Sequence, residues 1–159
     1  MFLLSTGCRL NEALQAKWEH IDRANCVWRI PATNSKSKRM RSVPLNPSAL
    51  HVLDQLDTEG EFDHVFINHQ SRLPYTTIMK VWIRLRNKAE LPKLRIHDLR
   101  HGFASLLVSS GRTLYEVQQI LGHSDPKVTM RYSHLSTRAL QDAANSASVI
   151  VRSDQSAAA

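Results

Sequence analysis

Residues 95–134 read R-I-H-D-L-R-H-G-F-A-S-L-L-V-S-S-G-R-T-L-Y-E-V-Q-Q-I-L-G-H-S-D-P-K-V-T-M-R-Y-S-H and place His97, Arg100, His123 and Tyr132 within forty positions. These side chains suit a phosphodiester. Its transfer carries charge on the non-bridging oxygens, and preorganised cations aimed there are the main catalytic resource. An arginine fork binds two oxygens together and keeps its charge. A tyrosine hydroxyl can attack phosphorus and hold it covalently. Histidine moves a proton or hydrogen-bonds the phosphate, and a lysine can protonate the leaving oxygen. Taken singly each residue has an ordinary account: a solvated histidine, a surface cation, a half-buried packing tyrosine. Only the joint spacing carries the chemical reading.

Helical periodicity and end signals say how these groups are delivered. Leu99, Phe103 and Leu106 form one apolar stripe, with His97, Arg100 and His101 on the opposite side. Gly111 ends that helix, and Thr113 with Glu116 has the spacing of a capping box for the next. Leu114, Val117 and Leu121 give the second helix its buried face, and Gly122 closes it. Asp125-Pro126 starts a third helix, expected to carry Tyr132.

Upstream, 1–18 reads as a helix interrupted at Thr6-Gly7, with Leu3, Leu10, Ala13, Leu14 and Trp18 on one side. It opens on apolar residues without a capping residue, as the middle of something longer would. Arg9 and Glu12 are either a surface pair or a pair in which Glu12 holds Arg9 for a ligand. Segments 26–31 and 41–45 read as antiparallel strands around a polar loop with Lys36, Lys38 and Arg39 at its tip. That tip suits a phosphate backbone, or serves solubility alone. A helix over 47–56, an acidic turn over 57–63 and a brief strand over 65–67 follow. The helix over 76–89 is expected to turn Ile78, Val81, Trp82 and Leu85 inward and Lys80, Arg84, Arg86 and Lys88 outward. After Tyr132, Ser136 can cap a last helix with Leu140, Ala143, Ala144 and Ala147 as a small-residue stripe seeking a partner. The expected fold class is α+β, mostly helical, with a small antiparallel sheet at one edge. One domain spans 1–147, and 148–159 is a disordered tail.

The 159 residues suffice for one domain with its own core. The net charge of +7 points to a polyanionic partner such as nucleic acid, ahead of an anionic membrane surface, with simple solubility as the plain alternative. Cys8 and Cys26 stand far apart and form no C-x-x-C pair, so neither a zinc knuckle nor a disulfide framework is indicated. No run approaches the ~20 apolar residues that span a bilayer, so a soluble, intracellular protein is expected.

T-G-C-R-L-N-E at 6–12, K-S-K-R-M-R-S-V-P-L at 36–45, H-D-L-R-H at 97–101, L-G-H-S at 121–124 and Y-S-H-L at 132–135 resemble the tyrosine recombinases, the phage integrases and Xer-type enzymes. The five segments come in the family's order, from residue 2 to about 144, and the nine-residue step from His123 to Tyr132 is also the family's. The resemblance implies that Tyr132 is the nucleophile of a 3′-phosphotyrosyl link and that Arg9 and Arg100 bind the scissile phosphate. It makes Lys36 the hairpin general acid, with Lys38 as its fallback. His97 matches the histidine of H-x-x-R and His123 the second histidine, which holds the phosphate. Glu12 and Asp98 match supporting acids. Lys38, Arg39 and Arg41 are expected at the DNA.

The implied function is site-specific recombination of double-stranded DNA without metal or other cofactor, by a homo-tetramer on two DNA sites, with a monomer possible without DNA. Localisation would be cytoplasmic, at the nucleoid. The resemblance leads to the expectation that the family's N-terminal core-binding domain is absent here, and that such a domain or a longer paralogue would assist. Gly102 stands where the family most often has threonine, which should loosen that helix by up to ~1 kcal/mol.

Three other readings remain open on the sequence. A topoisomerase of type IB would use the same nucleophile to relax DNA. A binding-only protein would use 98–110 and 113–121 as a helix-turn-helix. A metallohydrolase would use His97, His101 and His123 as ligands, though no glutamate lies between His97 and His101 as in H-E-x-x-H.

Overall fold

Gly7 breaks the N-terminal apolar stretch into two short helices, α1 (Phe2–Thr6) and α2 (Leu10–Leu14), because it takes a left-handed conformation with φ 61°. The single interrupted helix expected over 1–18 is therefore a pair, followed by a 3-10 turn at Trp18–His20. The computed structural model describes residues 1–35, 38–136, 140–142 and 144–145.

Strands β1 (Ile21–Asp22), β2 (Val27–Ile30) and β3 (Arg41–Pro44) form a three-stranded antiparallel sheet in that order. The β2–β3 register pairs Trp28 with Val43 and Ile30 with Arg41, so Trp28, Ile30 and Val43 are all buried. This is the antiparallel pair expected over 26–31 and 41–45. Helix α3 (Pro47–Asp54) starts at Asn46, whose side chain accepts from the Ala49 N–H at 2.9 Å, with Pro47 in the first turn. The brief strand expected at 65–67 is shifted: β4 (Ile67–Asn68) pairs with β5 (Leu73–Pro74).

Helix α4 (Met79–Lys88) departs from the expected orientation. Trp82 and Arg86 are half-buried, held by hydrogen bonds from Trp82 Nε1 and Arg86 Nη1 to the Leu94 carbonyl, both at 3.1 Å. Val81 and Leu85, expected inward, are exposed, as are Met79 and Ile83.

Helices α5 (Ile96–Ser109), α6 (Leu114–Leu121) and α7 (Pro126–Met130) complete the described fold, with a 3-10 turn at Ser133–Ser136. The α5 face is also corrected. Arg100, Ala104 and Val108 are the buried row, whereas Leu106 is 64% exposed. Two apolar clusters hold the fold. Phe2, Trp28, Ile30, Val43, Leu53 and Val65 belong to one; Ala104, Val108, Val117, Leu121 and Tyr132 form the other. Helix α1 touches both α3 and α5, bridging the two.

The outcome is the mostly helical α+β fold expected from the sequence, with a second small antiparallel sheet, β4–β5, beside the one expected. Of the expected last helix, Ala143 and Ala147 lie outside the described residues, as does the 148–159 tail; Leu140 is exposed. Among the described residues no helix is long and apolar enough to cross a membrane.

Candidate active site

Arg100 is the buried centre of the site. From α5 its Nη1 donates to the Gly7 carbonyl and its Nη2 to the Leu121 carbonyl, each at 2.7 Å. Two glycines permit this geometry. A Cβ on Gly7 would lie 2.3 Å from Phe103 Cδ1, and one on Gly122 (φ 66°) would lie 2.6 Å from Arg41 Cδ. Only glycine lets the α1–α2 turn and the α6 end approach so closely. Burial, then the charges of Arg9 and Arg41, push the Arg100 pKa down to about 10. It stays a cation at neutral pH, in a position that an anion would stabilise.

Glu12 gathers the cations. It is 2% exposed, its Oε1 accepts from Arg9 Nη1 at 2.9 Å, and its Oε2 accepts from Arg41 Nη2 at 2.6 Å and from the Arg9 N–H at 2.8 Å. Burial works to raise its pKa. The hydrogen bond and charge of Arg41, then the N–H and charge of Arg9, outweigh it and hold the carboxyl below its ordinary range. Of the two readings of the Arg9–Glu12 pair, the structure favours the one in which Glu12 holds Arg9.

Arg41 is a correction. Expected at the DNA, its side chain is 9% exposed and is fixed by Glu12 and by the Ile120 carbonyl at 2.8 Å. It ties β3 to α2 and α6. Asp98 is another. Its carboxylate caps α5, accepting from the Arg95 N–H at 2.8 Å and pairing with the Arg95 guanidinium. The Arg95 side chain, then its N–H, lower the Asp98 pKa to about 2. Asp98 thus supports the helix that carries the site, and does not line the cleft.

An open cleft of about 310 Å3 is lined by Arg9, His97, Arg100, His101, His123, Arg131 and Tyr132, together with Gly122, Ser124, Asp125 and Val128. His123 follows the α6 cap, and its Nδ1 lies 2.8 Å from Thr129 Oγ1 on α7. Burial first, then the charges of Arg100, Arg9, Arg131 and Arg41, lower its pKa to about 4. His97 is exposed at the start of α5, its ring edge-on to His101 with centroids 4.8 Å apart.

Tyr132 lies beyond α7, on the turn after it, rather than within the helix as expected. Its ring is buried against Ala104, Val108, Val117 and Leu121, and its Oη meets His101 Nδ1 at 2.5 Å. Burial raises its pKa against the opposing charges of Arg131 and Arg100. Lys36 lies outside the described residues; Lys38 and Arg39 are exposed on the hairpin tip.

A phosphate-sized anion entering this cleft would meet arginine forks, three imidazoles and a phenol. That is the equipment for in-line attack on phosphorus. The model of the phage integrase family matches residues 1–138. The chain belongs to that family.

Among its relatives is a tyrosine recombinase XerC of Pseudomonas fluorescens (strain Pf0-1), 34% identical over 137 residues, which cover 82% of this chain and 45% of the relative. A probable integrase/recombinase of Acholeplasma phage L2 is 31% identical over 144 residues, 88% of this chain and 49% of that one. The chain spans about half the length of the curated relatives it matches. Among solved structures, XerH site-specific recombinase bound to difH substrate in a pre-cleavage complex superposes with a TM-score of 0.70 at 29% identity, covering 89% of this chain and 43% of that one. The catalytic domain of bacteriophage HP1 integrase gives 0.64 at 28% identity, covering 90% and 76%. The fold is therefore that of a tyrosine recombinase catalytic domain.

Within this family fold the structure brings Arg9, His97, Arg100, His123 and Tyr132 to one cleft, with Glu12 behind Arg9. His101, Thr129 and Arg131 were not singled out by sequence for the site they line or support. Each lies beside or just ahead of a chosen residue, so proximity in the chain was the available signal. For the metal-ligand reading of His97, His101 and His123, two of the imidazoles are already engaged at Nδ1, by Tyr132 and by Thr129.

Proposed function

We propose that this chain carries out the strand-cleavage and rejoining chemistry of site-specific DNA recombination. The observation that carries the reading is the single cleft in which a tyrosine hydroxyl stands with Arg9, Arg100, His97 and His123. The Tyr132 oxygen attacks the scissile phosphorus, a Tyr–O–P bond forms and the P–O5′ bond breaks. The 3′ end stays on the protein and the 5′ end leaves as a hydroxyl. Arg9 and Arg100 hold the non-bridging oxygens, with Arg100 fixed beforehand by two carbonyls so that little reorganisation accompanies the reaction. His123, uncharged at neutral pH, donates a hydrogen bond to the phosphate, and His97 does the same from the mouth of the cleft.

Lys36 supplies the proton to the leaving oxygen, with Lys38 as the fallback. Lys38 and Arg39 follow the phosphate backbone. Rejoining reverses these steps, and the phosphotyrosyl bond conserves the energy, so no metal or nucleotide is called for. The partner is double-stranded DNA in the cytoplasm, at the nucleoid, with four protomers on two sites. The net charge of +7 and the DNA-bound state of the XerH relative support that partner.

The test is a nicked duplex carrying a candidate site, from which the 5′ product diffuses away and traps the intermediate. A protein–DNA band that survives denaturation, and is lost in Tyr132→Phe while DNA binding persists, supports the reading. A band of equal intensity in Tyr132→Phe refutes it.

A further inference from the structure

Resting on the recombinase reading of the cleft, we propose that His101 is the general base that takes the proton from Tyr132 on cleavage and returns it on rejoining. The geometry is direct. Oη and Nδ1 are 2.5 Å apart, bridging two elements 31 residues apart in the chain. Both rings are fixed: Tyr132 by the apolar cluster beneath it, and His101 by α5 and by the edge of His97 at 4.8 Å. Among the described residues the hydroxyl has no other hydrogen-bond partner apart from this imidazole.

In the tautomer with its proton on Nε2, His101 accepts the Tyr132 hydroxyl proton at Nδ1. As Oη closes on phosphorus the proton passes to Nδ1, the P–O5′ bond breaks, and the leaving oxygen takes its proton from the separate hairpin acid. On rejoining, the 5′ hydroxyl attacks phosphorus and returns its proton to the hairpin amine, the Tyr–O–P bond breaks, and the His101 imidazolium protonates the departing phenolate. One residue thus serves both directions.

The electrostatic surroundings fit this role. Burial lowers the His101 pKa first, then Arg131; Asp98 opposes, and Arg95 and Arg100 lower it further. His97, the other titratable ring against it, is itself shifted down by burial and by His101. His101 is therefore neutral and ready to accept at neutral pH. Tyr132 has its own pKa raised by burial, so an unaided phenol here would ionise reluctantly.

The experiment compares the unaltered chain, His101→Ala and His101→Asn on two nicked duplexes, one with the natural 5′ oxygen at the scissile bond and one with sulfur there. The sulfur leaving group departs without a proton, so it rescues defects on the leaving side and leaves defects on the nucleophile side in place. Asn keeps a hydrogen-bond acceptor near the Nδ1 position without its basicity, and it decides the matter if the alanine variant fails to fold. We expect adduct formation at least ~100-fold slower in both variants on both duplexes. Their residual rate should keep climbing with pH where the unaltered chain has levelled off.

A loss below tenfold overturns the proposal. So does rescue by sulfur, which would put His101 on the leaving side, or a slow variant with the unaltered pH profile, which would make it packing alone. If the unaltered chain forms no adduct on either duplex, the recombinase reading falls and the base role falls with it.

Discussion

Arg41 and Glu12, 29 positions apart in the chain, meet with Nη2 at 2.6 Å from Oε2, and the same carboxylate also holds Arg9. A hairpin arginine is thereby part of the frame of the cleft and not of its DNA-facing surface. Removing the carboxylate in Glu12→Ala leaves two partly buried guanidiniums without their counter-charge, and should cost roughly 3 kcal/mol. Urea unfolding reads this as a lower midpoint at unchanged slope. The sign with pH follows from the lowered pKa. The carboxylate contributes fully above the ordinary glutamate value of 4.5 and its contribution is lost as pH falls below that. Glu12→Gln should flatten this part of the acid limb.

The hairpin tip should behave in the opposite way. Lys38→Ala and Arg39→Ala each remove an exposed cation, and each should lower the slope of log affinity against log salt by about 1 with little change in stability. Arg41→Ala should leave that slope nearly unchanged while destabilising the fold. Titrations of a labelled duplex at several salt concentrations distinguish the two behaviours. An Arg41→Ala slope that falls as far as that of Lys38→Ala would return Arg41 to the DNA.

His123 offers a pH test. Its folded-state pKa of about 4 lies below the ordinary 6.5, so the unfolded chain takes up the proton first as pH falls. Stability should fall from about pH 6.5 down to about 4 and level off below. His97 and His101, also shifted down, add to this slope with the same sign. His123→Asn should make it shallower without abolishing it. Thr129→Val, which removes the hydroxyl 2.8 Å from Nδ1, should slow adduct formation by roughly tenfold, the equivalent of one hydrogen bond.

Gly102 should be dispensable where Gly7 is not. A Cβ at Gly102 would meet only Leu4 Cδ1, at 3.9 Å. Gly102→Ala should therefore stabilise α5 by about 0.5–1 kcal/mol, raising Tm by roughly 1–4 °C with cleavage unchanged. Gly7→Ala combines a strained φ of 61° with a clash against Phe103 and disturbs the carbonyl that holds Arg100, so it should lower both stability and adduct formation. Calorimetry of the two variants checks the contrast.

Local signals were legible in the sequence. The Thr113–Glu116 capping box and the Asp125 cap are present as read, because both are set within four residues of the chain. The β2–β3 hairpin was legible as two strand-like runs around a polar loop, and the residues that line the cleft through their motifs. Tertiary override was not. Arg100 was placed on the polar face of α5, but it is buried because carbonyls 93 and 21 residues away satisfy it. Val81 and Leu85 follow an inward helical pattern, yet no described element covers them. The pairing of Arg41 with Glu12 and that of His101 with Tyr132 depend on how separate elements dock, which no local pattern encodes.

In the proposed reaction Tyr132 forms a covalent bond to DNA phosphorus. Digesting the trapped protein–DNA adduct with nuclease and trypsin, then measuring peptide masses, tests it most directly. Cleavage after Arg131 and Arg138 releases the peptide Y-S-H-L-S-T-R. A nucleotide remnant is expected on this peptide, at its first residue. A remnant on another peptide, or an adduct that survives Tyr132→Phe, would contradict it.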